Sequence, residues 1–261
     1  MDEPFELIWI GFLASLAAGL GTSVGALAIF GVRQLSDRLE DGLLSFAAGI
    51  MLAASIFSLI LPGIGYGEAS TGSRPLAVAI VSAGLVIGAV VLYLVHAFAP
   101  HEHFLAGREG PEKTRLSRIW LFVIAITLHN FPEGMAVGVG FAGGDLANGR
   151  SLATGIGLQN VPEGLAVAAS LLVVGYSRFQ AFLLATVTGL VEPVGGLFGS
   201  AMVSLAEPLM PWTLGFAAGA MLFIISDEVI PETHRGNYEN LATFALLGGF
   251  IIMMFLDATL G

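Results

Sequence analysis

Runs of about 20 apolar residues, each bounded by charge, proline or glycine clusters, recur eight times along the chain. They cover residues 5–31, 41–62, 75–99, 117–141, 150–174, 179–204, 211–231 and 241–260. A helix of about 20 such residues, rising about 1.5 Å per residue, matches the hydrocarbon thickness of a bilayer. The pattern therefore predicts an all-α integral membrane protein of eight transmembrane helices, built as a single transmembrane domain over residues 1–261. The first run opens on Asp2, Glu3 and Glu6 instead of a basic region, so it reads as a retained span and not as a signal peptide. Composition removes the soluble alternative: 56% of residues are hydrophobic, 11% are charged, and the mean hydropathy is +0.86. Soluble domains carry about 25% charged residues. With no cysteine, disulfides and thiolate metal ligands are excluded.

An even number of spans puts both termini on one side, and the basic residues choose the side. With the termini outside, Arg33, Arg38, Arg108, Lys113, Arg115, Arg118, Arg178 and Arg235 all fall in cytoplasmic connections, leaving only Arg74 and Arg150 outside. The longest connection, near residues 100–116, is then cytoplasmic and carries His101 and His103, which read either as solvated imidazoles or as transient metal contacts.

Two polar segments interrupt the fourth and fifth runs. His129-Asn130-Phe131-Pro132-Glu133-Gly134 is repeated thirty residues later as Gln159-Asn160-Val161-Pro162-Glu163-Gly164. Residues three and four apart share a helical face, so His129, Asn130 and Glu133 project together, as do Gln159, Asn160 and Glu163. Consecutive spans run antiparallel, so the two copies surround a common point near the midplane with inverted-repeat character. Pro132 and Pro162 remove the donors for the Leu128 and Leu158 carbonyls, which predicts irregular backbone, tolerated in a membrane beside protein or a wet cavity. As packing helices with amide glue, either segment alone has a bland explanation. Two buried glutamates facing each other do not, because they cannot both ionise without a cation between them. Intramembrane acids therefore point to a metal site.

The sixth run adds Glu192, within Gly189-Leu190-Val191-Glu192-Pro193-Val194-Gly195-Gly196, either as a further ligand or as a neutral carboxyl hydrogen-bonded to a neighbour. Met51 in the second run reads by its residue type first as packing filler, with a thioether ligand as the alternative. Asp227-Glu228 and Glu232-Thr233-His234, near the cytoplasmic end of the seventh run, read equally as an exit station and as a solvated helix end.

Together these segments, with SFAAGIMLAAS at residues 45–55, GLVEPVGG at 189–196 and MLFIISDEVIPETHR at 221–235, resemble the bacterial branch of the ZIP (Zrt-, Irt-like protein) family of divalent metal transporters. The resemblance covers all eight spans. It implies termini outside, a His-bearing cytoplasmic loop between the third and fourth helices, and a two-metal centre. One implied site uses His129, Glu133, Gln159 and Glu163 with Met51 nearby; the other uses Asn130, Glu133, Asn160, Glu163 and Glu192, with the two glutamates bridging. The chain departs from the family pattern at Gln159, where many members have His, and near Asn160, where acidic or His variants occur. Amides there weaken the site for borderline metals and lower its charge.

The expectation is a transporter, not an enzyme, that imports a divalent transition metal through the inner membrane by alternating access. Zn(II) leads as cargo, with Cd(II), Fe(II) and Mn(II) as further candidates, and no catalytic cofactor is expected. A fixed-pore metal channel is the nearest rival. An intramembrane metalloprotease is disfavoured because no His-Glu-x-x-His string occurs. The expected partners are the metal ions and the lipid bilayer, with no nucleic acid. Small-residue patches at Gly195-Gly196 and Gly248-Gly249 allow helix packing within a subunit or across a homodimer. The orientation is testable because the chain has no native cysteine: in intact cells an impermeant thiol reagent should label Ala147→Cys but not Ala106→Cys. Labelling in the reverse order inverts the topology.

Overall fold

The computed structural model describes residues 3–32, 35–98, 101–103, 107–109, 118–173, 175–205, 207–234 and 237–261. Its helices are α1 (Glu3–Leu27), α2 (Asp37–Ala54), α3 (Leu61–Thr71), α4 (Arg74–Phe98), α5 (Arg118–Ala142), α6 (Leu146–Val173), α7 (Arg178–Gly189), α8 (Glu192–Leu205), α9 (Met210–Ile224), α10 (Ile230–Thr233) and α11 (Glu239–Leu260). Two strands of three residues, β1 (His101–His103) and β2 (Gly107–Glu109), pair antiparallel in the connection between α4 and α5, a small addition to the all-α expectation. The side chains of His101 and His103 lie outside the described residues, and with them the expectation of metal contacts there.

Seven helical segments among the described residues are long and apolar enough to cross a membrane, and α5, at 25 residues, stands where the remaining expected span lies. The spans agree with the hydrophobic runs except in the second. The apolar run ends at residue 62, yet the helix continues to Thr71. The difference arises from a π-helical segment, Ser55–Ile60, which lets the chain pass Pro62 near the start of α3. The seventh span repeats the device, with π-helical Ile225–Val229 ahead of Pro231. The two spans also share AAGIML (47–52) and AAGAML (217–222), each followed three residues later by its π segment. In the sixth span the chain breaks between α7 and α8 at Leu190-Val191. By contrast, α5 and α6 run uninterrupted through Pro132 and Pro162.

Local chemistry sets the helix starts. Ser36 caps α2, accepting from the Leu39 amide, with Asp37 and Glu40 in the first turn where the helix dipole favours acids. Ser177 and Gln180 form a reciprocal capping box at the start of α7. Gly144, at φ 76°, makes the turn between α5 and α6.

The most extensive helix pairings are α1 with α6, α5 with α8, α2 with α11 and α4 with α9. Exchanging the first three spans with the last three, and α5 with α6, maps these pairings onto one another. Each exchange joins spans of opposite direction, so the bundle is an inverted repeat. The pairings also sort the spans into two groups: α1, α5, α6 and α7–α8 in one, α2–α3, α4, α9–α10 and α11 in the other. Within each group, glycines bring backbones into direct contact: Gly11 on Gly138, Gly134 on Glu192 and Gly164 on Thr22 in the first, Gly49 on Leu246, Gly88 on Phe216 and Gly249 on Phe46 in the second. Across the seam the glycines meet side-chain ends, Gly155 against the Met253 sulfur and Gly143 against Met210 and Tyr66. Gly195 and Gly196 pack on Phe131 and Ser15, so that patch works within the subunit.

A Cβ at Gly49 collides with backbone of α11, whereas one at Gly65 meets open space. Gly49→Ala should therefore destabilise the detergent-solubilised protein by about 1–3 kcal/mol through overpacking, read as a lower melting temperature. Gly65→Ala should leave the melting temperature unchanged or raise it slightly.

Candidate metal centre

The polar residues of α5 and α6 and the first residue of α8 converge inside the first helix group. Antiparallel packing sets Glu133 beside Gln159 and brings His129 within electrostatic reach of Glu163. Glu133 also senses the charges of Glu163 and Glu192. Asn130, Glu133, Gln159, Asn160 and Glu192 are each at most 1% exposed, while His129 and Glu163 are partly exposed. The break before α8 places Glu192 at a helix N-terminus, where the dipole offsets part of the cost of a buried anion. Asn160 fixes that carboxylate: its Nδ2 donates to Glu192 Oε1 at 2.7 Å and to the Ala18 carbonyl at 2.8 Å.

Several other polar atoms there have no hydrogen-bond partner among the described residues. Both carboxylate oxygens of Glu133, both amide atoms of Asn130 and of Gln159, Asn160 Oδ1 and Glu192 Oε2 are buried without a hydrogen-bond partner. An unsatisfied buried polar group costs about 1–3 kcal/mol. Gathered oxygens with no donor of their own have the chemistry of a hard or borderline cation's coordination shell.

Met51 lies buried in the apolar core that α2 shares with α5, α6, α9 and α11. Its backbone carbonyl accepts from Ser55 Oγ at 2.8 Å. His129 spans two environments. Its Nε2 stands 2.5 Å from Glu228 Oε2, and Glu228 Oε1 stands 3.0 Å from His96 Nδ1. The two imidazoles are near-parallel, with ring centroids 6.5 Å apart. Ligand atoms of His96, His129 and Glu228 all fall within 4.8 Å of one another, a grouping able to hold a metal ion. Asp227 is further away, 3.9 Å from His96 Nδ1. The polar residues at the end of the seventh span stand in different surroundings. Glu228 is buried against imidazoles, whereas His234 joins α10 to α11, with Nδ1 3.0 Å from the Ile230 carbonyl and Nε2 3.3 Å from Thr243 Oγ1.

His96 was missed by the reading of the sequence. The only signal was an ionisable residue in the last turn of an otherwise apolar span, a position where imidazoles commonly just meet the interface.

The family model described as ZIP Zinc transporter matches residues 99–257. The zinc transporter ZIPB of Bordetella bronchiseptica is 49% identical over 249 residues, covering 95% of this chain and 81% of that protein. The zinc transporter GufA of Myxococcus xanthus is 45% identical over 251 residues, covering 96% of this chain and 99% of that protein. The chain belongs to the ZIP family. It is therefore a multi-pass membrane transporter and not an enzyme. The similarity reaches eukaryotes: the zinc transporter ZIP11 of Homo sapiens is 34% identical across 92% of this chain and 94% of that protein.

The two asparagines of the ZIP repeat differ in a measurable way. Asn160→Leu strips donors from Glu192 and Ala18 and should destabilise the metal-free protein by about 1–3 kcal/mol. Asn130→Leu breaks no internal hydrogen bond and should cost clearly less. Melting of the chelator-treated protein in detergent checks the order; equal losses argue against the Asn160 bonds.

Proposed function

We propose that the chain carries a divalent transition metal, zinc first among them, into the cytoplasm by alternating access at a two-metal centre within the membrane. The observation that carries the reading is the set of buried, unpartnered oxygens on Asn130, Glu133, Asn160 and Glu192, in electrostatic contact with Glu163. One metal takes His129, Glu133, Gln159 and Glu163, with the Met51 thioether nearby. The other takes Asn130, Glu133, Asn160, Glu163 and Glu192, the two glutamates bridging. Zinc is supported as cargo by the similar zinc transporters of Bordetella bronchiseptica and Myxococcus xanthus and by a donor set of imidazole, amide and carboxylate. Inward direction and the outside placement of the termini rest on the distribution of basic residues.

In this reading the carboxylates replace part of the hydration shell a divalent ion loses at bilayer depth. The cluster of His96, His129 and Glu228 lies on the cytoplasmic side and receives the ion on its way out. His129 belongs to both places, so rotation of one side chain hands the ion from the first helix group to the second. Ligands bind metal only when deprotonated, so protonation of His129 or a glutamate drives release.

Calorimetry on the purified protein tests the centre. Glu133→Ala should lose at least about tenfold in zinc affinity, about 1.4 kcal/mol. For the unmodified protein, affinity should fall from about pH 7.5 to about pH 5.5, because protons then compete for imidazole and carboxylate. Zinc binding by Glu133→Ala at full strength refutes the two-carboxylate centre. Zinc uptake into proteoliposomes that saturates at low turnover distinguishes the carrier from a fixed pore.

A further inference from the structure

A second polar cluster bridges the two helix groups at the opposite end from His96, His129 and Glu228. Ser58 Oγ donates to Asp257 Oδ1 at 2.6 Å, and Asn148 Nδ2 donates to the Ser58 backbone carbonyl at 3.1 Å. Ser58 is fully buried and Asn148 is 5% exposed. The second bond has a specific cause. In a helix the carbonyl of residue 58 accepts from the amide of residue 62, and here that residue is Pro62, which has none. Ser58 lies within the π segment Ser55–Ile60, and its carbonyl, with two lone pairs, is open to a donor from outside its own helix. Asn148 supplies it, held in place by its own amide bond to Asp145 Oδ1 at 3.0 Å.

The inverted repeat gives this cluster a counterpart. The exchange that maps the paired spans onto one another carries the π segment of the seventh span onto that of the second, α5 onto α6, and α4 onto α11. It therefore carries Glu228, His129 and His96 onto the elements that hold Ser58, Asn148 and Asp257. Both clusters take one member from each of three corresponding elements, and both tie the first helix group to the second. From Asn148 inward, Ser151, Gly155 and Gln159 continue along one buried face of α6. The Ser151 hydroxyl is buried without a hydrogen-bond partner, one turn along from Asn148.

We propose that Asn148, Ser58 and Asp257 form the outer gate of the permeation path, closed here by the bond from Asn148 to the Ser58 carbonyl. The proposal rests on the transport reading above. Opening the gate separates α6 from the second span and exposes a carbonyl that only water or another donor can then satisfy. Pro62 favours the clasp, because it cannot give the Ser58 carbonyl the usual α-helical donor that would compete with Asn148.

The test uses a single cysteine, Ser151→Cys, in the otherwise cysteine-free chain, labelled in intact cells by an impermeant thiol reagent. Asn148→Ala removes the clasp, and Asn148→Asp keeps its volume while losing the donor. Each should raise the labelling rate by about fivefold or more, the loss of one net hydrogen bond. Pro62→Ala should change the rate in the same direction. An unchanged rate in Asn148→Asp, in protein that inserts and melts like its parent, overturns the gate, and this variant decides alone if Asn148→Ala fails to assemble. Labelling needs no metal, so the outcome is separate from zinc binding: lost calorimetric binding in the parent chain sinks the transport reading, while unchanged labelling sinks only the gate.

Discussion

The repulsion among Glu133, Glu163 and Glu192 is the constraint around which the rest of the bundle is organised. Three carboxylates in electrostatic contact at bilayer depth cannot all remain anionic without compensating positive charge. The fold compensates only in part. Asn160 and the N-terminus of α8 serve Glu192, and the Gly134 contact brings α5 against the backbone of Glu192. Both oxygens of Glu133 are left unmatched. A site that satisfied every oxygen internally would hold its helices together without cargo. Incomplete compensation makes the low-energy state of the centre depend on a cation or on protons, which is the property a carrier requires.

The same centre is positioned asymmetrically with respect to the two helix groups. Every acid and amide of the repeat belongs to α5, α6 or α8, which glycine contacts lock to one another and to α1. Met51, His96 and Glu228 belong to the other group. Backbone contacts through glycine tolerate no displacement, since a shift of even a methyl group's width creates either a void or a collision. Met253 and Met210, which cover the glycines at the seam, have flexible side chains that re-pack at low cost. The packing thus divides the molecule into two stiff halves joined by a deformable surface, and the polar bonds across that surface, among them those from His129 to Glu228, from Asn148 to Ser58 and from Ser170 to Glu40, are ones that relative movement must break.

Much of this was legible in the sequence. Hydrophobic length located the seven apolar spans, the second cut short, because bilayer thickness leaves little freedom, and the spacing of the two Pro-Glu-Gly segments put their polar residues on one face because helical periodicity is rigid. The acids announced themselves through their cost in an apolar run. The π segments were not legible: Pro62 and Pro231 carry the usual signal of a helix end, and whether the chain stops or inserts an extra residue is decided by the packing of neighbours. Asn148 was missed for a related reason. It lies before the apolar run of α6 begins, and its importance comes from a carbonyl ninety residues earlier that only the folded chain brings near. His96 and Glu228 each look ordinary alone, and their meaning arises from a contact across the seam.

The two end clusters, related by the inverted repeat, are not chemically alike. In the proposed orientation the inner one carries two imidazoles and a carboxylate, the outer one a hydroxyl, an amide and a carboxylate. Imidazole is the better donor for a borderline ion such as zinc, and it exchanges that ion for protons near neutral pH. An amide bonded to a carbonyl does neither, and its strength is indifferent to pH. On the proposed reading, the inner end therefore has the better donors for the cargo, while the amide clasp of the outer end answers to the separation of the two halves, with the Asp257 carboxylate beside it. Ligand chemistry at either end leaves the direction of net flux to the gradients across the membrane. What the asymmetry does set is which end senses them, and that end is the one carrying His96 and His129.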